Sequence, residues 1–226
     1  MKTKNYTVDI IIPFYEHHYG LEKLLLSLNK LNVNKIKLKI LIINDGSKIN
    51  KKKIRRNSRY KIIFFTNKKN KGQTYSRNFG IRNSNAKFIW LLDSDTKIIN
   101  KHTIQKAIAT LNDDVIGVSG TVELINRKKT YLIPKLLKNG FVLYEKINPR
   151  KKFINEIYDG TSLFIKRKTF LEIGYFDSML KVHEEYEWSL RLNRNDRKFI
   201  FDPKCFVLHC NFKVKKNEFD PKYFDI

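Results

Sequence analysis

Short apolar runs alternate with amphipathic stretches along the first part of the chain. The clearest run, FIWLL at Phe88–Leu92, is bounded by polar residues, which predicts a strand buried on both faces of a parallel sheet. The stretch Leu21–Leu31 places four leucines on one helical face, which predicts an amphipathic helix. The same patterns predict strands at Val8–Pro13, Ile36–Ile43 and Lys61–Phe65, and a helix at Thr74–Ser84. Strands that alternate with helices indicate a mostly parallel sheet with right-handed crossovers.

The second part of the chain is less regular. The segment Glu123–Asn155 has no clear period, although a helix between Lys135 and Lys146 is compatible with it. Elsewhere the pattern predicts helices at Ile104–Leu111, Lys168–Ile173 and Glu184–Asn193, and strands at Ile116–Gly120, Thr161–Ile165 and in the runs FIFDP and CFVLHC. With no repeat and no linker, the chain is expected to form a single α/β domain.

Composition excludes several other classes of protein. Of the 226 residues, 42% are hydrophobic, which is typical of a globular chain. The apolar runs are far shorter than the roughly 20 residues needed to span a bilayer. The first apolar run is broken by Pro13 and lacks a small-residue cleavage site, so no signal peptide is predicted. Cys205 and Cys210 match no common zinc spacing, and a reduced, cytoplasmic setting is expected.

The net charge is the unusual feature of the composition. The chain has 46 Lys and Arg against 22 Asp and Glu, a formal charge of +24. A field of this sign attracts nucleic acid, anionic lipid surfaces and phosphorylated substrates alike. Lysine, asparagine and isoleucine are abundant together, so much of the charge can also be plain solvated surface. Charge alone therefore selects no partner.

Polar groups follow three of the predicted strands at their carboxyl ends. They lie at Pro13–Glu16, Asn44–Ser47 and Asp93–Thr96. Ligands of open α/β sheets bind outside these strand ends, so the three groups are expected to converge on one crevice. Asp93 and Asp95 could there hold a divalent cation through carboxylate oxygens.

Three more side chains are candidates for chemistry. Arg77 follows a glycine near the start of a predicted helix and could hold a phosphate, although this motif taken alone favours an ordinary exposed helical arginine. Glu185 shares a helical face with Trp188 and Leu192, which predicts an inward carboxylate suited to proton abstraction, whereas Glu184 is expected to see solvent or a salt bridge. His209 lies in an apolar run, where a core residue and a ligand are both plausible.

The order of these motifs, from IIPFYE through NDGS, NKGQTYSRN, LLDSDT, GTSLFIKRKTFLEIGYFD and EEYEWSLRL to VLH, resembles the family 2 glycosyltransferases of the GT-A fold. The resemblance runs from about Val8 to His209. It implies a Rossmann-like, mostly parallel central sheet flanked by helices, a nucleotide-diphospho-sugar donor and Mn2+ or Mg2+. By this resemblance residues 1–97 form a nucleotide-binding half, residues 98–212 an acceptor and catalytic half, and residues 213–226 a charged tail.

The resemblance also assigns roles to single positions. The expected donor-binding residues are Pro13, Tyr15, Glu16, Asp45, Arg77, Asp93, Gly160 and Thr161. The expected metal ligands are Asp95, Asp93 and His209, and Glu185 is the expected catalytic base. Two positions depart from the family pattern: Asn44 replaces the first aspartate of Asp-Asp-Gly-Ser, and Glu185 stands where the family usually has a shorter aspartate.

The sequence thus predicts a metal-dependent inverting glycosyltransferase that moves a sugar to a hydroxyl of a glycan or lipid-linked acceptor. The resemblance implies that the donor of this sugar is uridine-linked. It is expected in the cytoplasm, with peripheral contact to an anionic membrane and no specific nucleic acid. One alternative is a sugar nucleotidyltransferase, but the loop PFYEHHYG lacks the glycine- and arginine-rich character that this activity needs. The other is a non-enzymatic basic module that binds nucleic acid or membrane, for which no recognised nucleic-acid motif is present.

Overall fold

Two sheets of eight and five strands organise the chain in its computed structural model. The structure describes residues 5–125, 128–136, 142–147, 149, 151–180, 183–195 and 197–210. The strands are β1 Tyr6–Phe14, β2 Ile36–Asn44, β3 Lys61–Thr66, β4 Phe88–Leu92, β5 Thr96–Ile98, β6 Val115–Ser119, β7 Thr121–Ile125, β8 Lys128–Leu136, β9 Val142–Ile147, β10 Phe153–Asn155, β11 Ser162–Lys166, β12 Lys198–Phe201 and β13 Val207–His209. The helices are α1 His18–Leu28, α2 Lys51–Arg56, α3 Gln73–Arg82, α4 Thr103–Thr110, α5 Lys168–Ile173 and α6 Glu184–Asn193.

The large sheet has the strand order β10-β12-β6-β11-β4-β1-β2-β3. Strands β1 to β4 run parallel to one another, as the alternating pattern predicts. Strand β11 lies antiparallel between β4 and β6, and β10 is antiparallel to β12. The predicted mostly parallel α/β sheet in a single domain is confirmed, with its reversed strands confined to the second part of the chain.

Alternating side chains of the central strands fill a core on each face of this sheet. On one face, Ile10 and Trp90 pack with the leucines of α1. On the other face, Ile11 and Leu91 pack with residues of α3, α5 and α6, including Trp188. Every residue of β4 is buried, which confirms a strand covered on both faces. This rigid centre fixes where the strand ends, and hence their polar residues, lie.

The five-stranded sheet, in the order β5-β13-β7-β8-β9, corrects one prediction. The helix suggested between Lys135 and Lys146 is wrong for the described residues, which form the ends of β8 and most of β9 in antiparallel pairing. Strand β8 pairs with β9 on one side and with β7 on the other. Hydrogen bonds between these strands override the local sequence pattern that suggests a helix. The predicted charged tail, residues 213–226, lies outside the described residues.

No helix among the described ranges is both long and apolar enough to cross a membrane. Cys205 and Cys210 are buried free thiols. Burial raises the pKa of both, so they are inert apolar side chains under ordinary conditions.

Candidate active site

The carboxyl ends of β1, β2 and β4 open into a cleft of about 220 Å³. It is lined by predicted residues from all three strand ends, namely Pro13, Tyr15, Asp45, Asp93 and Asp95, together with residues of the loop before α3. The predicted convergence of these groups is therefore confirmed. Glu16, predicted to line the same pocket, is exposed and lies outside this lining.

Asp45 anchors the loop that forms one wall of this cleft. Its Oδ1 accepts hydrogen bonds from the Lys71 amide at 2.9 Å and from Asn67 Nδ2 at 2.7 Å, and its Oδ2 accepts from the Gly72 amide at 2.8 Å. Each carboxylate oxygen can accept at least two bonds, so Oδ2 retains capacity for a ligand donor. Gly72 adopts φ +92°, a conformation that favours glycine. Asp45 thus holds the loop in place and could still accept a hydrogen bond from a ligand.

Arg77 is 2% exposed and lies in a buried cluster of charges beside Asp93. Its guanidinium donates to Asp93 Oδ1 at 2.7 Å, to Glu184 Oε1 at 2.5 Å and to the Gly160 carbonyl at 2.5 Å. Burial disfavours its charge, but Asp93 and Glu184 more than compensate and raise the pKa of Arg77. The alternative of an exposed arginine is wrong. Arg77 thus forms hydrogen bonds with three segments of the site that are distant in sequence, those of Asp93, Gly160 and Glu184.

Asp93 is shared between this cluster and the cleft. Gln73 Nε2 also donates to its Oδ1, at 2.7 Å. Burial raises the pKa of Asp93, against the opposing effect of Arg77 and with the help of Asp95. Two donors to Oδ1 therefore fix the orientation of this carboxylate, and since the described residues make no hydrogen bond to its Oδ2, that oxygen could accept one from a ligand.

A second cleft of about 370 Å³ lies on the β11 side of Asp93. The predicted residues Gly160, Thr161, Glu185 and His209 border it, together with Asp159 and Tyr144, which sequence patterns did not single out. An added Cβ on Gly160 would lie 3.3 Å from Glu185 Cδ, so the glycine leaves room for that carboxylate. Burial and the neighbouring Glu184 raise the pKa of Glu185. A carboxylate of this kind, at the wall of an open cleft, is suited to accept a proton.

Glu184 and Glu185 both border this second cleft, which corrects the prediction that only one of them does so. Glu184 is 3% exposed and is paired with Arg77, so of the two expected surroundings, solvent or a salt bridge, the structure shows the salt bridge. The two residues open α6, whose first turn meets the cleft, so side chains about 100° apart both reach its wall. Glu184 is engaged in the buried cluster, whereas the Glu185 carboxylate makes no hydrogen bond to another residue among the described contacts.

His209 meets two carboxylates at the junction of the two clefts. Antiparallel pairing of β13 with β5 brings its Nε2 to 3.5 Å from Asp95 Oδ2, and parallel pairing with β7 brings its Nδ1 to 3.3 Å from Glu123 Oε1. Burial opposes the imidazolium, but the hydrogen bonds to Asp95 and Glu123 raise the pKa of His209 to about 10. Although burial acts against it, His209 holds the pKa of Asp95 below its usual value.

The donor atoms at this junction suit a divalent cation that also takes ligands from a substrate. Asp95 offers a hard carboxylate oxygen. His209 could offer Nε2 once a cation displaces the proton that Asp95 stabilises there, while Glu123 fixes its other nitrogen, an arrangement typical of metal-binding histidines. No set of three His, Cys, Asp or Glu side chains in the described ranges is arranged to hold a metal unaided. A cation here would take its remaining ligands from water or from a bound substrate.

Comparison with known proteins shows the family. Residues 9–174 match the family described as glycosyl transferase family 2. The chain belongs to this family. An uncharacterized glycosyltransferase of Rickettsia typhi is 31% identical over 200 residues, which cover 83% of this chain and 59% of that protein. One of Haemophilus influenzae is 23% identical over 213 residues, 93% of this chain and 70% of that protein. For a Rickettsia felis relative the match covers only 31% of its length, so the chain spans part of several relatives.

Solved structures show the same fold. Mannosyltransferase PcManGT of Pyrobaculum calidifontis, solved in complex with GDP-Man and Mn2+, superposes with a TM-score of 0.67 at 14% identity, over 92% of this chain and 58% of that one. S. aureus TarS 1-349 gives a TM-score of 0.63 at 19% identity, over 89% and 60%. Both are GT-A glycosyltransferases, which confirms the predicted GT-A fold.

Proposed function

We propose that this protein is a metal-dependent inverting glycosyltransferase that uses a nucleotide-diphospho-sugar. The observation that carries the proposal is the junction at Asp93, where a cleft suited to a nucleotide meets a cleft walled by Glu185. A donor that spans both clefts would place its nucleoside near Asp45 and its sugar near Gly160 and Thr161. Membership of glycosyl transferase family 2 supports a nucleotide-sugar as the donor.

The chemistry needs one general base. Glu185 would take the proton from an acceptor hydroxyl as that oxygen attacks the anomeric carbon of the donor sugar. The bond from this carbon to the diphosphate oxygen breaks, and its electron pair leaves with the diphosphate. Attack from the face opposite the leaving group inverts the anomeric configuration.

Asp95 and His209 would hold a divalent cation, with Asp93 beside it. When bound, the cation supplies positive charge that stabilises the leaving diphosphate. Mn2+ or Mg2+ fits the oxygen-rich donor set, and the Mn2+ in the structure of the Pyrobaculum mannosyltransferase supports this choice. Arg77 would contribute indirectly, because it orients Asp93 and the backbone at Gly160.

The donor is proposed to be uridine-linked and its sugar a hexose, and the acceptor a hydroxyl of a glycan or lipid-linked glycan in polysaccharide synthesis. The division into a nucleotide-binding half at residues 1–97 and an acceptor half at residues 98–212 fits the two clefts. A cytoplasmic location, with the protein resting on an anionic membrane, is part of the same proposal.

Two measurements test the proposal. A thermal-shift screen with uridine, thymidine and guanosine diphosphate sugars, with and without Mn2+, should show metal-dependent stabilisation by the uridine-linked compounds. NMR of the transfer product should then show the inverted anomeric configuration, with turnover lost in Glu185→Gln and kept in the exposed control Glu156→Gln. Retained configuration, or stabilisation that ignores Mn2+, would contradict the proposed mechanism.

A further inference from the structure

The charge of this protein is concentrated in one segment. Between Gly46 and Leu92 the chain has fourteen Lys or Arg residues and no Asp or Glu. Thirteen of the fourteen are exposed, and Arg77, inside the active site, is the exception. Within the described residues, Lys53 is the member of this exposed set that pairs with a carboxylate, that of Glu22 at 2.6 Å. The positive field of this segment is therefore almost uncompensated.

The fold gathers most of these side chains on one flank. Strand β3 is the terminal strand of the large sheet, and α2 packs beside it. Lys51 and Arg55 of α2 lie over the ring of Phe64 in β3, at 5.7 and 5.2 Å from its centroid. We call this flank the basic edge: Lys48, Lys51, Lys52, Lys53, Arg55, Arg56, Arg59, Lys61, Lys68, Lys69 and Lys71. A few lysines suffice to protect an edge strand from pairing with another chain, so eleven basic residues exceed that need.

We propose that the basic edge docks the protein on an anionic lipid surface. Basic residues near such a surface each contribute to binding without insertion of apolar groups, and this edge offers charge with little exposed apolar area. Binding of single-stranded nucleic acid uses exposed aromatic rings on which bases stack. The aromatic residues of this segment are all partly or fully buried, among them Tyr60, Phe64 and Tyr75. The chemistry of the edge therefore favours lipid headgroups over bases.

The position of the basic edge also separates it from the path of an acceptor. Lys68, Lys69 and Lys71 flank the cleft lined by Asn70 and Gly72, on the nucleotide side of Asp93. Glu185 borders the other cleft, on the β11 side. A molecule resting on its basic edge leaves the Glu185 cleft open to a glycan from the same surface. Docking rests on the proposed function, which already includes an anionic membrane as partner, and assigns the surface that meets it; docking itself requires no donor and can be tested alone.

The experiment is sedimentation with vesicles made of equal parts phosphatidylglycerol and phosphatidylcholine, at physiological salt. The edge variant carries Lys48→Glu, Lys51→Glu, Lys52→Glu and Arg56→Glu, all at exposed positions. The control variant carries the same charge change at exposed positions outside the edge, in Lys101→Glu, Lys151→Glu, Lys152→Glu and Lys204→Glu. Lys151 and Lys152 precede β10, the strand at the opposite end of the sheet.

The wild-type protein should bind these vesicles and not vesicles of phosphatidylcholine alone. The edge variant should bind at least about a hundredfold more weakly, since each basic residue near the surface is worth about fivefold. The control variant should lose less than about fivefold, because charges farther than about 8 Å from the lipid are screened. Circular dichroism and binding of uridine diphosphate with Mn2+ are measured on all three proteins, so that failure to dock is distinct from failure to bind donor.

Equal loss of binding in the two variants would overturn the proposal, because it would show diffuse attraction without a dedicated surface. Failure of the folded wild-type protein to bind anionic vesicles would overturn it too. So would an edge-dependent affinity for RNA that exceeds the affinity for vesicles, which would make nucleic acid the partner.

Discussion

Neutralising Glu184 and Glu185 in turn should separate stability from catalysis. Both carboxylates border the same cleft, but Glu184 is paired with the buried Arg77 whereas Glu185 is left for a substrate. Glu184→Gln removes the negative partner of Arg77 and leaves it with Asp93 and the Gly160 carbonyl. Losing one buried partner of a charged group costs about 2–3 kcal/mol, below the full cost of breaking a buried ion pair because two acceptors remain.

Glu185→Gln should have the opposite signature. Burial raises the pKa of this carboxyl in the folded state, so its stabilising contribution is present below the unfolded pKa and lost as pH rises through the folded pKa. At neutral pH and above, the neutral glutamine should therefore leave stability unchanged or higher. Loss of the general base should lower kcat by roughly a hundredfold or more.

The assay pairs thermal unfolding with turnover for wild type, both variants and the exposed control Glu156→Gln. A loss of 2–3 kcal/mol corresponds to a Tm lower by roughly 5–10 °C for a chain of this size, expected for Glu184→Gln alone. An inactive Glu184→Gln at full stability, together with an active Glu185→Gln, would refute these assignments, because Glu184 would then be the base.

Three further outcomes are expected. Glu123→Gln should weaken Mn2+ binding, measured by EPR in the presence of uridine diphosphate, about tenfold to a hundredfold through loss of the bond that orients His209; unchanged affinity would exclude that role. The acid limb of the kcat profile should lie above pH 4.5, since a base works deprotonated and the pKa of Glu185 is raised; a limb at or below that value would count against Glu185. Asp45→Asn should weaken nucleotide binding about tenfold in calorimetry, because the side-chain NH2 of the asparagine can face the Gly72 N–H, which is also a donor. Full affinity would show that Asp45 does not contact the ligand.

The sequence predicts the parts of the fold that depend on local pattern. Strand β4 is fully apolar, and helices α1 and α6 are amphipathic. Their buried residues can be identified from the order of apolar and polar residues in each segment, so their positions follow from periodicity. The meeting of Asp45, Asp93 and Asp95 also follows, because parallel strands present their carboxyl ends on one side. Helix α2 is missed because its residues are nearly all basic and Ile54 alone is buried.

Contacts between distant segments could not be predicted in this way. Glu123 meets His209 because β7 and β13 are neighbours, although the residues are 86 positions apart. Arg77 meets Glu184 across 107 positions, so neither its burial nor the buried state of Glu184 is visible in helical phase. Strands β8 and β9 form hydrogen bonds with each other. Because this pairing is not visible in the local sequence pattern of either strand, the pattern suggests a helix instead.

Calorimetric titration of uridine diphosphate, with and without Mn2+, tests the central claim most directly. If Asp95 and His209 hold a cation that the diphosphate completes, metal and nucleotide must strengthen each other's binding by the same factor, on the order of tenfold or more. The wild-type protein should show this coupling, and folded Asp95→Ala should bind uridine diphosphate with the metal-free affinity whether or not Mn2+ is present. Equal coupling in wild type and Asp95→Ala, or none in the wild type, would contradict the account.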